Sequence, residues 1–189
     1  MSEIVECVPN FSEGRRKDVV DAIVSDIASV EGVTLLGAES DPDHNRSVVT
    51  FVGTRDPVAE AAFRGVAAAR ERIDLNRHEG QHKRMGACDV LPFVPVSGVD
   101  LDDCAALARR VGERIGTELE VPVYLYEHAA AREERRNLAQ IRKPEFEGLK
   151  DLIGTDDAHR PDFGPNAVHP TAGVTAVGAR FFLIAYNVN

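Results

Sequence analysis

The chain has 189 residues, enough for one large domain with its own core, and its 43% apolar and 28% charged residues are ordinary for a folded globular protein. A formal net charge of −9 argues against nucleic acid as the main partner, because phosphate binding requires a basic face and the arginines here are interspersed with Asp and Glu. The opening Met1 to Glu6 lacks the basic flank and apolar run of a signal peptide, and no apolar run approaches the ~20 residues of a membrane span, so a cytoplasmic protein without membrane contact is expected.

Apolar alternation predicts a first strand over Ile4 to Val8. Turn formers follow within Glu6 to Gly14, where Ser12 or Asn10 is placed to cap a helix over Arg16 to Val30; Val19, Val20, Ile23, Ile27 and Val30 share its apolar face. Strands over Val33 to Ala38 and Val48 to Val52 flank the turn Glu39 to Arg46, which implies a hairpin. An alanine-rich helix over Pro57 to Ile73 is expected to start with Asp56 as N-cap and proline at the first position. Next come a strand over Val90 to Val96 and a helix over Leu101 to Leu119, whose start carries Asp100, Asp102 and Asp103 where the helix dipole favours negative charge. A strand over Val121 to Tyr126, shorter helical pieces through Ile153, a long loop from Gly154 to Gly173 and a last strand over Phe181 to Val188 complete the order. The expected class is α+β, an α/β sandwich in which a mixed sheet of about six strands carries helices mainly on one face, formed as one domain over residues 1–189.

The cysteines Cys7, Cys88 and Cys104 are odd in number and widely spaced, so buried free thiols are expected instead of a disulfide or zinc framework. The segment Arg77 to Gly86 gathers two histidines and three cations in an otherwise acidic chain. A histidine near its ordinary pKa of ~6.5 can exchange protons at neutral pH, and neighbouring Arg or Lys can hold a substrate's carboxylates. A solvated charged loop is the competing interpretation. His78 to His82 also matches the HExxH zinc-hydrolase pattern with Glu79 in the base position, but Gly80 and Gly86 weaken the continuous helix that pattern needs, and no third ligand follows at a suitable spacing. No metal is expected. Glu39 and Arg46, at strand ends, are placed to reach a common cleft, although an ordinary turn explains them as well.

Together, Val5 to Gly14, Asn45-Arg46, Arg77 to Ala87 with Asp89-Val90, Val121 to Tyr126, Asp162 to Pro165 and Gly178 to Arg180 resemble the N-terminal subdomain of the glutamate formimidoyltransferases, with the motifs in order along the chain to Asn187. The resemblance implies transfer of a formimidoyl group between N-formimidoyl-L-glutamate and tetrahydrofolate, a late step of histidine degradation and part of one-carbon metabolism, with tetrahydrofolate as co-substrate. It places the catalytic histidine at His82. It places the folate-contacting loop at Phe163, Gly164, Pro165, Asn166, Ala167, Val168, His169, Pro170, Thr171 and Ala172. Arg46, Arg77, Lys83 and Arg84 are the cations available for glutamyl carboxylates, with His78 and Glu39 as further contacts. In this family a second subdomain follows, so a partner chain or continuing chain carrying it is implied, and a homodimer is expected. The other class of function kept open is a non-catalytic folate-binding or protein-interaction domain. This chain has Ala172 where the vertebrate form has an aromatic, and Lys83 where proline usually follows the histidine.

Overall fold

The computed structural model describes residues 3–183. The chain opens with two short strands, β1 (Ile4–Cys7) and β2 (Asn10–Phe11), then helix α1 (Lys17–Ala28) and the hairpin β3 (Val33–Asp41) and β4 (Arg46–Gly53). Helix α2 (Arg55–Arg72), strand β5 (Cys88–Ser97), helix α3 (Leu101–Glu118) and strand β6 (Val123–Glu127) follow. Two short helices, α4 (Leu138–Arg142) and α5 (Glu145–Leu152), precede the last strand, β7 (Thr175–Ala179).

Among the described residues the sheet is mixed and has seven strands, against about six expected. One strand that was not expected is β2, which with β1 makes one interrupted strand. Both segments pair antiparallel with β4 on one side and β5 on the other. The break falls at Val8-Pro9. Proline has no N–H for the ladder, but its carbonyl still accepts from Val49 N, and Val8 N donates to Pro92 O. Beyond β5 the pairing turns parallel, β5 to β7 and β7 to β6.

The three long helices cover one face, over a core that includes Val5, Phe11, Phe51, Phe93, Leu125 and Val177. The periodicity of α1 places Val19, Val20, Ile23 and Ile27 in that core. The expected caps at Ser12 and Asn10 do not form: the N-cap is Arg16, and the Glu13 carboxylate accepts from the N–H groups of Arg15 and Arg16 instead. Ser12 Oγ donates to Gly86 O. Helix α2 begins two residues earlier than expected, with Thr54 as N-cap, so Asp56 and Pro57 fall inside its first turn, where the missing proline N–H would have been unpaired in any case. At α3 the expectation holds, and Asp100 and Asp103 form a reciprocal capping box.

The opposite face is not bare. Ile141 of α4 and Leu149 of α5 pack with Val90, Tyr124, Tyr126 and Ala176 there, so the short helices shield the β5, β7 and β6 end of the sheet. A strand that was not expected, β7, is formed by Thr175–Ala179; of the strand expected over Phe181 to Val188, Phe181, Phe182 and Leu183 are exposed without regular structure, and residues 184–188 lie outside the described residues. The glycine and alanines of β7 hid it from a search for β-branched residues, yet all five of its side-chain positions are buried. The three cysteines are buried free thiols. Among the described residues, no helix is long and apolar enough to cross a membrane.

Candidate functional site

Between α2 and β5 the chain runs through a short helical turn, Leu75–Arg77, and then a non-helical loop to Ala87. The loop is held at both ends by close approaches that admit only glycine. A Cβ at Gly80 would collide with the carbonyl of His44 and with Asn45, and one at Gly86 with the carbonyl of Val174. Asn45, in a left-handed conformation at φ 49°, ties the loop to the β3–β4 turn: its side chain accepts from Gly14 N and donates to Glu79 O, both near 3 Å.

His78 and His82, adjacent in the HExxH spelling, face different partners. His78 Nε2 lies 3.0 Å from the Asn45 carbonyl, and its Nδ1 accepts from Arg84 Nε at 3.1 Å. Arg84 then reaches Glu147 of α5 with both terminal nitrogens at 2.8 Å. These two residues clasp the loop to the short helices. With no helix across 78–82, the two histidines share no helical face, and the zinc geometry of that pattern is not built.

His82 points into a different group. Arg46, the first residue of β4, lies with Nη1 2.7 Å from both ring nitrogens, straddling the ring instead of committing to one lone pair. The rest of the Arg46 fork donates to Asn10 Oδ1 at 3.1 and 2.8 Å, and Nη1 also reaches Asp89 Oδ2 at 3.4 Å. Asp89 is 1% exposed. Its Oδ1 accepts from Met85 N and its Oδ2 lies 2.8 Å from Arg142 at the end of α4. A register shift between β2 and β5 falls beside Asp89, between Cys88 and Val90, which turns the carboxylate away from the long helices toward this cluster.

The electrostatic outcome is an unprotonated imidazole. Burial first, then the charges of Arg46 and Arg142, lower His82 from 6.5 to about 4, with Asp89 opposing. An open cleft of about 430 Å³ adjoins the ring, lined by His44, Gln81, His82, Lys83, Ala139, Arg142 and Lys143. A neutral histidine beside fixed cations and an accessible cleft can accept a proton from a bound substrate, and its conjugate acid is a strong donor.

The other expected contacts are distributed unequally. Lys83 lies on the cleft, 3.8 Å from Glu145. Arg77 is exposed, 3.5 Å from Asp74, and lines a separate cavity with Ser12, Glu13 and His78. Glu39 is exposed on β3, directly opposite Val48, which puts it on the same sheet face as Arg46. The loop Phe163 to Ala172 packs elsewhere. Phe163 lies against Gly112 and Gly116 of α3, Gly164 takes a φ of 85° beside Gly116, and Val168 touches both core clusters. Pro170 and Thr171 accept from Asn76 and Leu75, and Ala172, 2% exposed, accepts from Ala87 N. His169 Nδ1 accepts from the N–H groups of Thr171 and Ala172. Pro165, Asn166 and Ala167 are exposed. Among the described residues, no hydrogen bond joins this loop to His82 itself; the loop meets the segment that carries His82 at Leu75–Thr171 and Ala87–Ala172, beside the Gly86–Gly173 bridge.

Residues 4–180 match the family described as the formiminotransferase domain, N-terminal subdomain. The chain is 51% identical over 189 residues to a glutamate formimidoyltransferase of Streptococcus pyogenes, covering 100% of this chain and 63% of that protein. It is 52% identical over 188 residues to one from Thermoplasma acidophilum, covering 98% and 61%. A formimidoyltransferase-cyclodeaminase of Sus scrofa is 48% identical over the whole chain, which spans 35% of it. The chain thus spans between about a third and two thirds of the length of these relatives.

Proposed function

The chain belongs to the formiminotransferase family, matching its N-terminal subdomain, and from that premise we propose that it supplies the proton-transfer half of an enzyme moving a formimidoyl group between N-formimidoyl-L-glutamate and tetrahydrofolate. The observation that carries this reading is the His82 ring held 2.7 Å from Arg46 at the edge of an open cleft, with its pKa lowered to about 4.

In this mechanism the folate amine attacks the amidine carbon and forms a tetrahedral intermediate. His82 takes the proton from the attacking nitrogen and returns it to the nitrogen of the glutamate, whose bond to carbon then breaks. The products are formimidoyl-tetrahydrofolate and glutamate. No covalent enzyme intermediate is needed. Burial, and then the charges of Arg46 and Arg142, keep the ring unprotonated before attack, and Asp89 and Asn10 hold Arg46 in place. General acid–base catalysis of this kind contributes about 10²–10⁴-fold.

The folate is proposed to contact Phe163 to Ala172, where Pro165, Asn166 and Ala167 offer exposed surface, and Glu39 shares the sheet face of Arg46. Residues 1–189 are proposed to act as one unit, completed by a second subdomain that the greater length of the relatives supports. Exposed Leu36 on edge strand β3 and Val96 on β5 offer apolar area for that subdomain or for a second copy of the chain. Cytoplasmic histidine degradation is the expected setting.

The test is formimidoyl transfer measured with the purified protein, together with its second subdomain, and with His82→Ala. Activity in the variant equal to wild type, with both proteins folded, sinks the assignment.

A further inference from the structure

We propose that the cleft beside His82 carries a carboxylate subsite formed by Lys83, Arg142 and Lys143, and that it takes the glutamyl dicarboxylate of a substrate. The proposal rests on the transfer reading for the identity of its occupant, and on the structure for its location.

In a chain of net charge −9, this cleft has three cationic side chains in its lining and no carboxylate. Lys83 comes from the loop before β5, whereas Arg142 and Lys143 come from the end of α4, so the positive charge is presented from two segments. Neither lysine is tightly paired: Lys83 has Glu145 only at 3.8 Å, and the Lys143 side chain is exposed. Two separated cationic groups suit a ligand with two carboxylates better than a single anion.

Arg142 supplies an independent observation. Its Nη2 is engaged by Asp89 at 2.8 Å, but its Nε is buried and, among the described residues, has no hydrogen-bond partner. That N–H is closed to solvent, so Arg142 meets the cleft with the rest of its partly exposed guanidinium, a planar donor group suited to a carboxylate. Asp89, already engaged by Met85, Arg46 and Arg142, does not fill it.

The second cavity along the same loop differs in this respect. There Glu13 accepts from the N–H groups of Arg15 and Arg16 and from the Arg16 side chain, so that basic surface already contains its own anion.

A carboxylate seated on Lys83, Arg142 and Lys143 shares one cleft with the His82 ring. Two sources share this chemistry, the donor's glutamate and the glutamyl tail of a folate. Calorimetric titration of the chain with N-acetyl-L-glutamate, an unreactive stand-in for the donor, and separately with folic acid, distinguishes them. The expected result is saturable one-to-one binding of at least one probe, weakened about tenfold or more in Lys143→Ala, in Lys83→Ala and in Arg142→Lys. Arg142→Lys keeps a cation on Asp89 while removing the planar guanidinium, and the two lysine variants change exposed positions, so loss of fold does not mimic loss of binding. Replacing N-acetyl-L-glutamate by N-acetyl-L-glutamine is expected to weaken binding similarly.

Binding unchanged in all three variants, or no binding of either probe to wild type, overturns the subsite. Binding that depends on these residues in a protein and partner with no transfer activity removes the reaction and keeps the subsite. Transfer with an unchanged KM for donor and folate in Lys143→Ala and Lys83→Ala keeps the reaction and removes the subsite.

Discussion

Asp89 and Arg142 are joined at 2.8 Å across the join between β5 and α4, and the same carboxylate lies 3.4 Å from Arg46. One buried anion therefore serves two guanidiniums, and removing it leaves both uncompensated. Asp89→Asn is expected to destabilise the fold by about 3–5 kcal/mol, as for other broken buried ion pairs, measured by urea unfolding. A loss below about 1 kcal/mol shows that the pair is not coupled to folding in this way.

The same variant has a second readout. Asp89 is the charge that raises His82 against burial and the two arginines. Its removal is expected to move His82 titration below about 4, followed by the ring proton resonance in NMR spectra. An unchanged midpoint separates the carboxylate from the histidine.

Stability should also depend on pH through His82. Its folded pKa is about 4 against 6.5 as the ordinary value, so below 6.5 the unfolded chain takes the proton more readily than the folded one. The contribution is complete above pH 6.5, is lost progressively as pH falls toward about 4, and is of order 1 kcal/mol after allowing for solvent screening of a half-buried ring. Subtracting the stability profile of His82→Gln from that of wild type isolates this window. A flat difference between pH 6.5 and 4 refutes it.

Gly80→Ala places a methyl group against the His44 carbonyl and Asn45. The expected cost is about 1–3 kcal/mol of stability, with a larger effect on transfer rate than on substrate KM, because the loop carrying His82 must lift off the β3–β4 turn. Steady-state kinetics at matched folded fractions test this. A pure KM effect indicates that the loop binds substrate and does not position the base.

Arg84→Met removes the bidentate contact to Glu147 and the bond to His78 while retaining bulk. Glu147 is largely exposed, so the ion pair itself should contribute under about 1 kcal/mol. The variant is expected to unfold at nearly the wild-type denaturant concentration and yet to show faster hydrogen exchange across 78–87. Unchanged exchange there sinks the clasp.

Much of the architecture was readable from periodicity. The hairpin, the three long helices and the acidic start of α3 follow from patterns within about twenty residues, where local propensity and tertiary packing agree. What escaped were elements whose signal is not local. β2 is two residues long and is a strand only because β4 and β5 flank it, and β7 is built from small side chains that a buried parallel position requires under α3. In the site, His82 stood out by charge density, and Arg46 by its place at a strand end. Asp89 carried a usable hint, an acid opening a buried strand, which needs a counter-charge. Arg142 carried none, because its partner lies 53 residues away and no spacing connects them.

Asn10, Arg46, Arg142 and the pair His82 and Asp89 come from four separate stretches of chain, and the interrupted first strand is what lets the earliest of them lie between β4 and β5. No fragment of local sequence can assemble such a group, because each member meets its neighbours only after long-range strand pairing has closed. The lowered pKa of His82 therefore depends on that pairing, and a chain in which it is open carries the histidine without it. A His82 pKa returning toward 6.5 is the expected reporter of that opening.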